Sequence, residues 1–119
     1  MGSYKDLKVY EKSYAAALGI YGLTAKMPME ERYGLTGQMR RAATGIPLTI
    51  AEGYGKREGI KELQRYLRMA LGSCTEMKVL LNFAKDLGYI TPGEYEEQRA
   101  AYEEIGKMVN GLLKSLTQN

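Results

Sequence analysis

The chain has no histidine and no tryptophan, one cysteine, three prolines and one phenylalanine in 119 residues. Without histidine it lacks the commonest general base near neutral pH and the commonest metal ligand. Di-iron bundles built on Glu-x-x-His pairs are excluded outright. A lone cysteine, Cys74, permits no intramolecular disulfide and fits a reducing compartment. So few prolines leave room for long helices. No apolar run approaches the roughly 18 residues of a membrane helix, and the first residues carry no apolar secretory segment. Myristoylation at Gly2 would want Ser or Thr where Asp6 stands. These absences lead to the expectation of a cytoplasmic, non-enzymatic protein with one domain over residues 1–119 and with no metal or cofactor.

What is present is ordinary in amount and uneven in placement. Charged residues at 26% and apolar ones at 45% argue for a globular chain and against disorder. The net charge of +3 divides into 14 basic against 8 acidic residues over 1–85, and 3 against 6 over 86–119. A basic body followed by an acidic segment suggests a face for an anionic partner. The acidic residues fall in pairs, Glu30–Glu31, Glu96–Glu97 and Glu103–Glu104, which read as solvated helix surface rather than as an inward acid–base pair.

Periodicity predicts four helices. In the third, Ile60, Leu63, Leu67, Ala70, Cys74, Met77, Leu81 and Ala84 alternate at spacings of three and four, and Gly88 marks its stop. Cys74 sits on this seam, as a small core residue would. The fourth opens on Thr91–Pro92–Gly93–Glu94, an N-cap, a first-turn proline and a capping-box glutamate. Tyr95, Gln98, Tyr102, Ile105, Val109, Leu112 and Leu116 then form its seam. The first segment, about Leu7 to Met27, carries two stripes: Val9, Ser13, Ala16, Ile20 and Leu23, and Tyr10, Tyr14, Ala17 and Tyr21. Two apolar faces need two partners, so the tyrosine stripe is either part of a wide core face or a subunit or binding surface. The second segment starts near Pro28–Glu31, with acids complementing the helix dipole. It runs through Leu35, Met39, Ala42, Ala43, Ile46 and Ile50. Pro47 is expected to kink it, and Gly53 and Gly55 to end it by adopting positive φ. Short connections between four such helices make an antiparallel up-down-up-down bundle, an all-α fold.

The stretch Gly53-Tyr54-Gly55-Lys56 is not a phosphate loop: a helix precedes it, the spacing is wrong, and Arg57 holds the Ser/Thr position. Arg41 and Glu52 are expected to share a helix face and to bridge across Pro47, while Arg40 points about 100° away towards an external anion. Basic residues form two stripes, Lys5, Lys8 and Lys12 on the first helix and Lys61, Arg65 and Arg68 on the third, with Lys56 and Arg57 at the intervening turn. Arg40, Lys56, Arg57, Lys61, Arg65 and Arg68 are the candidate phosphate contacts, with Tyr54 and Tyr66 as stacking platforms. An ordinary solvated face would carry the same residues.

Tyr33 to Glu58, with Arg40–Arg41, Pro47 and Gly53–Tyr54–Gly55, resembles the signature of the four-helix-bundle proteins encoded in intervening sequences of bacterial 23S rRNA genes. That family also takes in the accessory variability proteins of diversity-generating retroelements. The likeness extends over Lys5 to Tyr10, Ala70 to Met77 and Lys85 to Ile90. Departures are Gly45, Leu48 and Thr49 where the pattern has serine and asparagine around the proline, and Lys78 where an acidic residue is common. The resemblance implies an antiparallel bundle assembling as a ring-like homopentamer. In the retroelement branch it implies a basic surface that binds a reverse transcriptase and nucleic acid. Two functions are thereby expected of this chain: binding RNA or a ribonucleoprotein through basic helix faces, or serving as a protein-interaction scaffold for a reverse transcriptase.

Overall fold

Helix α3 (Ile60–Asp86) is the backbone of the architecture, because its 3/4 seam runs for almost its whole length. In the computed structural model, which describes residues 4–56 and 58–117, Leu67, Ala70, Cys74, Met77, Leu81 and Ala84 are all buried, whereas Leu63 is half-buried and Ile60 is exposed. The seam thus fades at the first turn of the helix. The other helices are α1 (Lys8–Thr24), α2 (Leu35–Lys56) and α4 (Pro92–Thr117). Each helix packs on its sequence neighbour and α1 closes onto α4, while the diagonal pairs do not meet. The result is an antiparallel four-helix bundle 47 Å long and about 20 Å across. No strand occurs among the described residues.

Local chemistry sets the ends. At the close of α3, Gly88 takes a φ of 79° and its N–H donates to the Lys85 carbonyl, while that of Tyr89 reaches Ala84. That is a Schellman stop. At α4 the Thr91 hydroxyl accepts from the Glu94 N–H at 3.0 Å and the Glu94 carboxylate accepts from the Thr91 N–H at 2.9 Å, the expected capping box. Helix α2 begins later than expected. Met29–Glu31 form a 3-10 turn, and the Glu31 carboxylate caps Leu35 N–H at 3.0 Å. The acidic residue therefore works from before the helix instead of inside its first turn.

Pro47 lies buried inside α2, which runs on to Lys56. One expectation needs correction: Gly53 and Gly55 do not end the helix, and the positive φ of this connection belongs to Gly59, at 107°. Gly53 has a different role. A Cβ there would stand 2.9 Å from the Cβ of Tyr66 and 3.1 Å from Leu63 Cδ1. The absence of a side chain lets α2 and α3 approach closely.

Burial sorts the two stripes of α1. Val9, Ser13, Ile20 and Leu23 enter the core and Ala16 is half-buried. Of the tyrosine stripe, Ala17 is buried and Tyr10 half-buried against the core, while Tyr14 and Tyr21 are exposed. The polar interruption in α4, Gln98, lies over Gly19, with its amide nitrogen 3.1 Å from where a Cβ would be. Among the described residues no helix is long and apolar enough to cross a membrane.

Candidate nucleic-acid interface and an uncovered helix face

Folding divides the charge along the long axis. The antiparallel topology gathers residues 4–16, 46–56, 58–73 and 105–117 in one half of the bundle, where nine basic residues face five acidic ones. The other half, 17–45 and 74–104, holds seven basic and nine acidic residues. The asymmetry read along the chain therefore becomes one between two ends. The acidic residues of α4 lie in its first half, beside the α1–α2 connection.

The candidate phosphate contacts meet different fates. Arg40 is taken up by the fold: its Nε donates to Thr24 Oγ1 at 2.9 Å, a terminal nitrogen lies 3.4 Å from the Tyr21 carbonyl, and its guanidinium stacks 4.5 Å above the Tyr21 ring. It acts as a cation placed by α2 at the carbonyl end of α1, where the helix dipole favours it. Arg65 is compensated by a two-point contact with Glu62, at 2.7 and 3.2 Å, which holds the Glu62 carboxyl below its usual range. Lys56 donates to the Tyr66 hydroxyl at 2.9 Å, and this bond raises its pKa. At 5.3 Å from the ring centroid Lys56 Nζ meets the hydroxyl edge and not the ring face. Its hydrogen-bond partner is neutral, while the nearby Glu52 and Glu58 carboxylates raise its pKa further, and its ammonium stays exposed.

Lys61 and Arg68 are exposed, and neither side chain has a hydrogen-bond or ion-pair partner among the described residues. Arg57 lies outside the described residues. On the first helix Lys12 pairs with Glu104 at 3.4 Å and Lys8 is exposed. The structure thus leaves Lys56, Lys61 and Arg68 as exposed cations in the half of the bundle where α2 turns into α3, beside an Arg65 whose charge is already met. It places Arg40 elsewhere, at the end of α1.

The stacking platforms also change. Tyr66 is buried, with its hydroxyl held by Lys56, and Tyr54 is half-buried against the core, where burial raises its pKa. Neither ring is presented to a base. Arg41 and Glu52 do not bridge. Both are exposed and no hydrogen bond or ion pair joins them. Eleven residues at 1.5 Å each separate them by about 16 Å along the axis, beyond the combined reach of the two side chains. They share a face but not a contact.

A second surface stands out by its composition. Between α1 and α2 runs an open groove lined by Tyr4, Tyr10, Tyr14, Leu18, Tyr21, Pro47 and Leu48. Tyr14, Leu18 and Leu48 are 51, 61 and 62% exposed, far above what core positions show. Tyr14 and Tyr21 of the tyrosine stripe of α1 are therefore uncovered in the single chain, with Leu18 and Leu48 beside them. Sequence reasoning had not assigned Leu18 or Leu48 to this face. The available signal was their position opposite Ile20 and Ile50 on their own helices. Cys74 is buried and its thiol is pushed up to about 11 by desolvation, so it is not a nucleophile near neutral pH. No group of His, Cys, Asp or Glu among the described residues could hold a metal.

Fold and surface together define a small antiparallel four-helix bundle with a basic end and an uncovered tyrosine-rich face. A family model described as 23S rRNA-intervening sequence protein matches residues 5–111, and the chain belongs to that family. A solved structure from Bacteroides thetaiotaomicron, described as a protein with unknown function from the S23 ribosomal protein family, is similar: 25% identity, 89% of this chain and 95% of that one covered, and a TM-score of 0.82. Among curated proteins no relative matches.

Proposed function

We propose that this chain is a non-enzymatic, cytoplasmic bundle that assembles with copies of itself and binds RNA, or an RNA-containing complex, through its basic end. The observation that carries the reading is the end-to-end charge partition, with Lys56, Lys61 and Arg68 all exposed in the basic half. Such a group neutralises phosphates without reading bases, so affinity comes from counterion release and specificity is low. The family's name, which speaks of 23S rRNA intervening sequences, supports an RNA setting. Assembly, in fives by family resemblance, is supported by the uncovered α1–α2 face.

The test is binding of purified protein to a structured RNA at two salt concentrations. Charge reversal of Lys56, Lys61 and Arg68 together removes three phosphate contacts and lowers the log–log salt slope by about 2–3. Unchanged affinity and slope in the folded triple variant would refute the assignment. A second reading, a protein-interaction scaffold such as a reverse-transcriptase accessory subunit, is favoured by the same tyrosine groove, which suits a polypeptide better than a phosphate backbone. Under it, the triple variant loses nothing while a groove variant loses its partner.

A further inference from the structure

The groove between α3 and α4 carries cations beyond the candidate phosphate contacts. An open pocket there is lined by Thr75 and Lys78 of α3 and by Glu103, Gly106, Lys107 and Asn110 of α4. Among the described residues its lining holds one carboxylate, Glu103, which accepts from Lys78 at 3.0 Å. That bond, with Lys107 as a further cation, holds the Glu103 carboxyl below its usual range. Both helices extend the row towards the basic end. Arg68 and Lys61 follow Thr75 at seven-residue steps and Lys114 follows Lys107, so each stays near the same line of its helix. Lys61, Arg68, Lys107 and Lys114 are exposed, and none of them has an ion pair among the described residues.

The two rows interleave. A Cβ on Gly106 would stand 3.7 Å from Leu71 Cδ1, and Lys78 meets Glu103, which together set the level of α4 against α3. Counting from these contacts places Lys107, Arg68, Lys114 and Lys61 at successive levels about 5–6 Å apart, alternately on α4 and α3. That step is of the order of the distance between neighbouring phosphates of one strand. Among the described residues no aromatic ring lines the pocket, so a base has nothing there to stack on. Asn110, exposed between Lys107 and Lys114, adds a neutral amide that can meet a phosphate oxygen or a 2′-hydroxyl.

We infer that this groove seats one strand of a base-paired RNA, its phosphates held in turn by Lys107, Arg68, Lys114 and Lys61. A paired strand suits the groove better than an unpaired one. The duplex keeps its bases stacked within itself and offers phosphates and 2′-hydroxyls to a protein. An unpaired strand would need rings to stack on, and Tyr66 lies on the α2 side of α3, against Gly53, with its hydroxyl held by Lys56. Contact confined to the backbone carries no sequence preference. The inference rests on the RNA-binding part of the proposed function; it names the form of the RNA and adds α4 to the surface.

The probe is a perfectly paired RNA hairpin, with an unpaired RNA of equal length as competitor. Lys107→Glu combined with Lys114→Glu should lower hairpin affinity about tenfold or more and the log–log salt slope by about 2. Lys107→Gln with Lys114→Gln should give a smaller loss in the same direction. All these positions are exposed, so circular dichroism should show unchanged helicity. Arg32→Glu with Arg41→Glu makes the same change of net charge in the other half and should cost much less affinity. A wild-type chain that binds no hairpin at low salt sinks the RNA reading itself. Wild-type binding that the Lys107/Lys114 variants leave unchanged, or that both glutamate pairs weaken equally, leaves RNA binding standing and overturns the groove. An unpaired RNA that displaces the hairpin at equal concentration overturns the assignment to a paired strand.

Discussion

Replacing Gly53 by alanine sets two known effects against each other at one position. An alanine in a helix interior is favoured over glycine by about 1 kcal/mol. At position 53 the new methyl would lie 2.9 Å from Tyr66 Cβ and 3.1 Å from Leu63 Cδ1. The leucine methyl can rotate away. The tyrosine Cβ is anchored to the α3 backbone and cannot move without moving the helix. Overpacking of that kind costs about 1–3 kcal/mol, and the firm contact argues for the upper part of the range. The net expectation is destabilisation by about 1–2 kcal/mol. Gly55 supplies the control: it lies in the same helix, and a Cβ there meets nothing within 4 Å. Gly55→Ala should therefore keep most of the propensity gain, about 0.5–1 kcal/mol. In urea denaturation at one protein concentration the midpoints should move apart, Gly53→Ala down by about 1 M and Gly55→Ala up by about half as much. If both variants are stabilised alike, α2 and α3 do not approach as closely as described, and the placement of Lys56 against Tyr66 fails with it.

Other expectations follow from buried and capping groups. The Tyr102 hydroxyl is buried with no hydrogen-bond partner, so Tyr102→Phe should be neutral or stabilising by about 1 kcal/mol in a thermal or urea melt; a loss of more than that would mean the hydroxyl is bonded. Glu31 is held below its ordinary value of 4.5, first by the Leu35 N–H and then by the Tyr89 hydroxyl at 2.9 Å. A carboxylate depressed in the folded state contributes stability that is complete above its unfolded pKa and is lost as pH falls through the folded one. Stability should thus decline below about pH 4.5, and Glu31→Gln should flatten that acid limb as seen by helicity against pH. Cys74 should resist alkylation at pH 8 in the native protein and react at once in denaturant, because its thiol is buried and titrates near 11.

The four helices, the stop of α3 and the start of α4 were legible in the sequence because they depend on neighbours three or four residues apart. The seam of α3 repeats its spacing within itself, and the Thr91–Glu94 box closes inside one turn. The missing histidines removed a class of catalysis before any fold was considered. The α2–α3 turn was misread because Gly53 carries two signals at once. Glycine can stop a helix or admit a neighbouring one, and only the position of Tyr66 decides which.

The surface was settled by contacts between residues far apart in the chain. Arg40 looked free because its partners, Thr24 and the Tyr21 carbonyl, belong to another helix. Arg41 and Glu52 shared a face on a helical wheel, which records direction and omits height, and about 16 Å of axis keeps them apart. The tyrosine stripe of α1 was ambiguous for the same reason. Amphipathicity shows that a face is apolar, and only the packing of four helices leaves one such face uncovered. What the sequence determined alone was local: four helices, the stop of α3, the cap of α4 and the absence of histidine chemistry. Which charges remain for a partner, and which apolar side stays open, was decided by antiparallel packing, since it alone sets distances across helices.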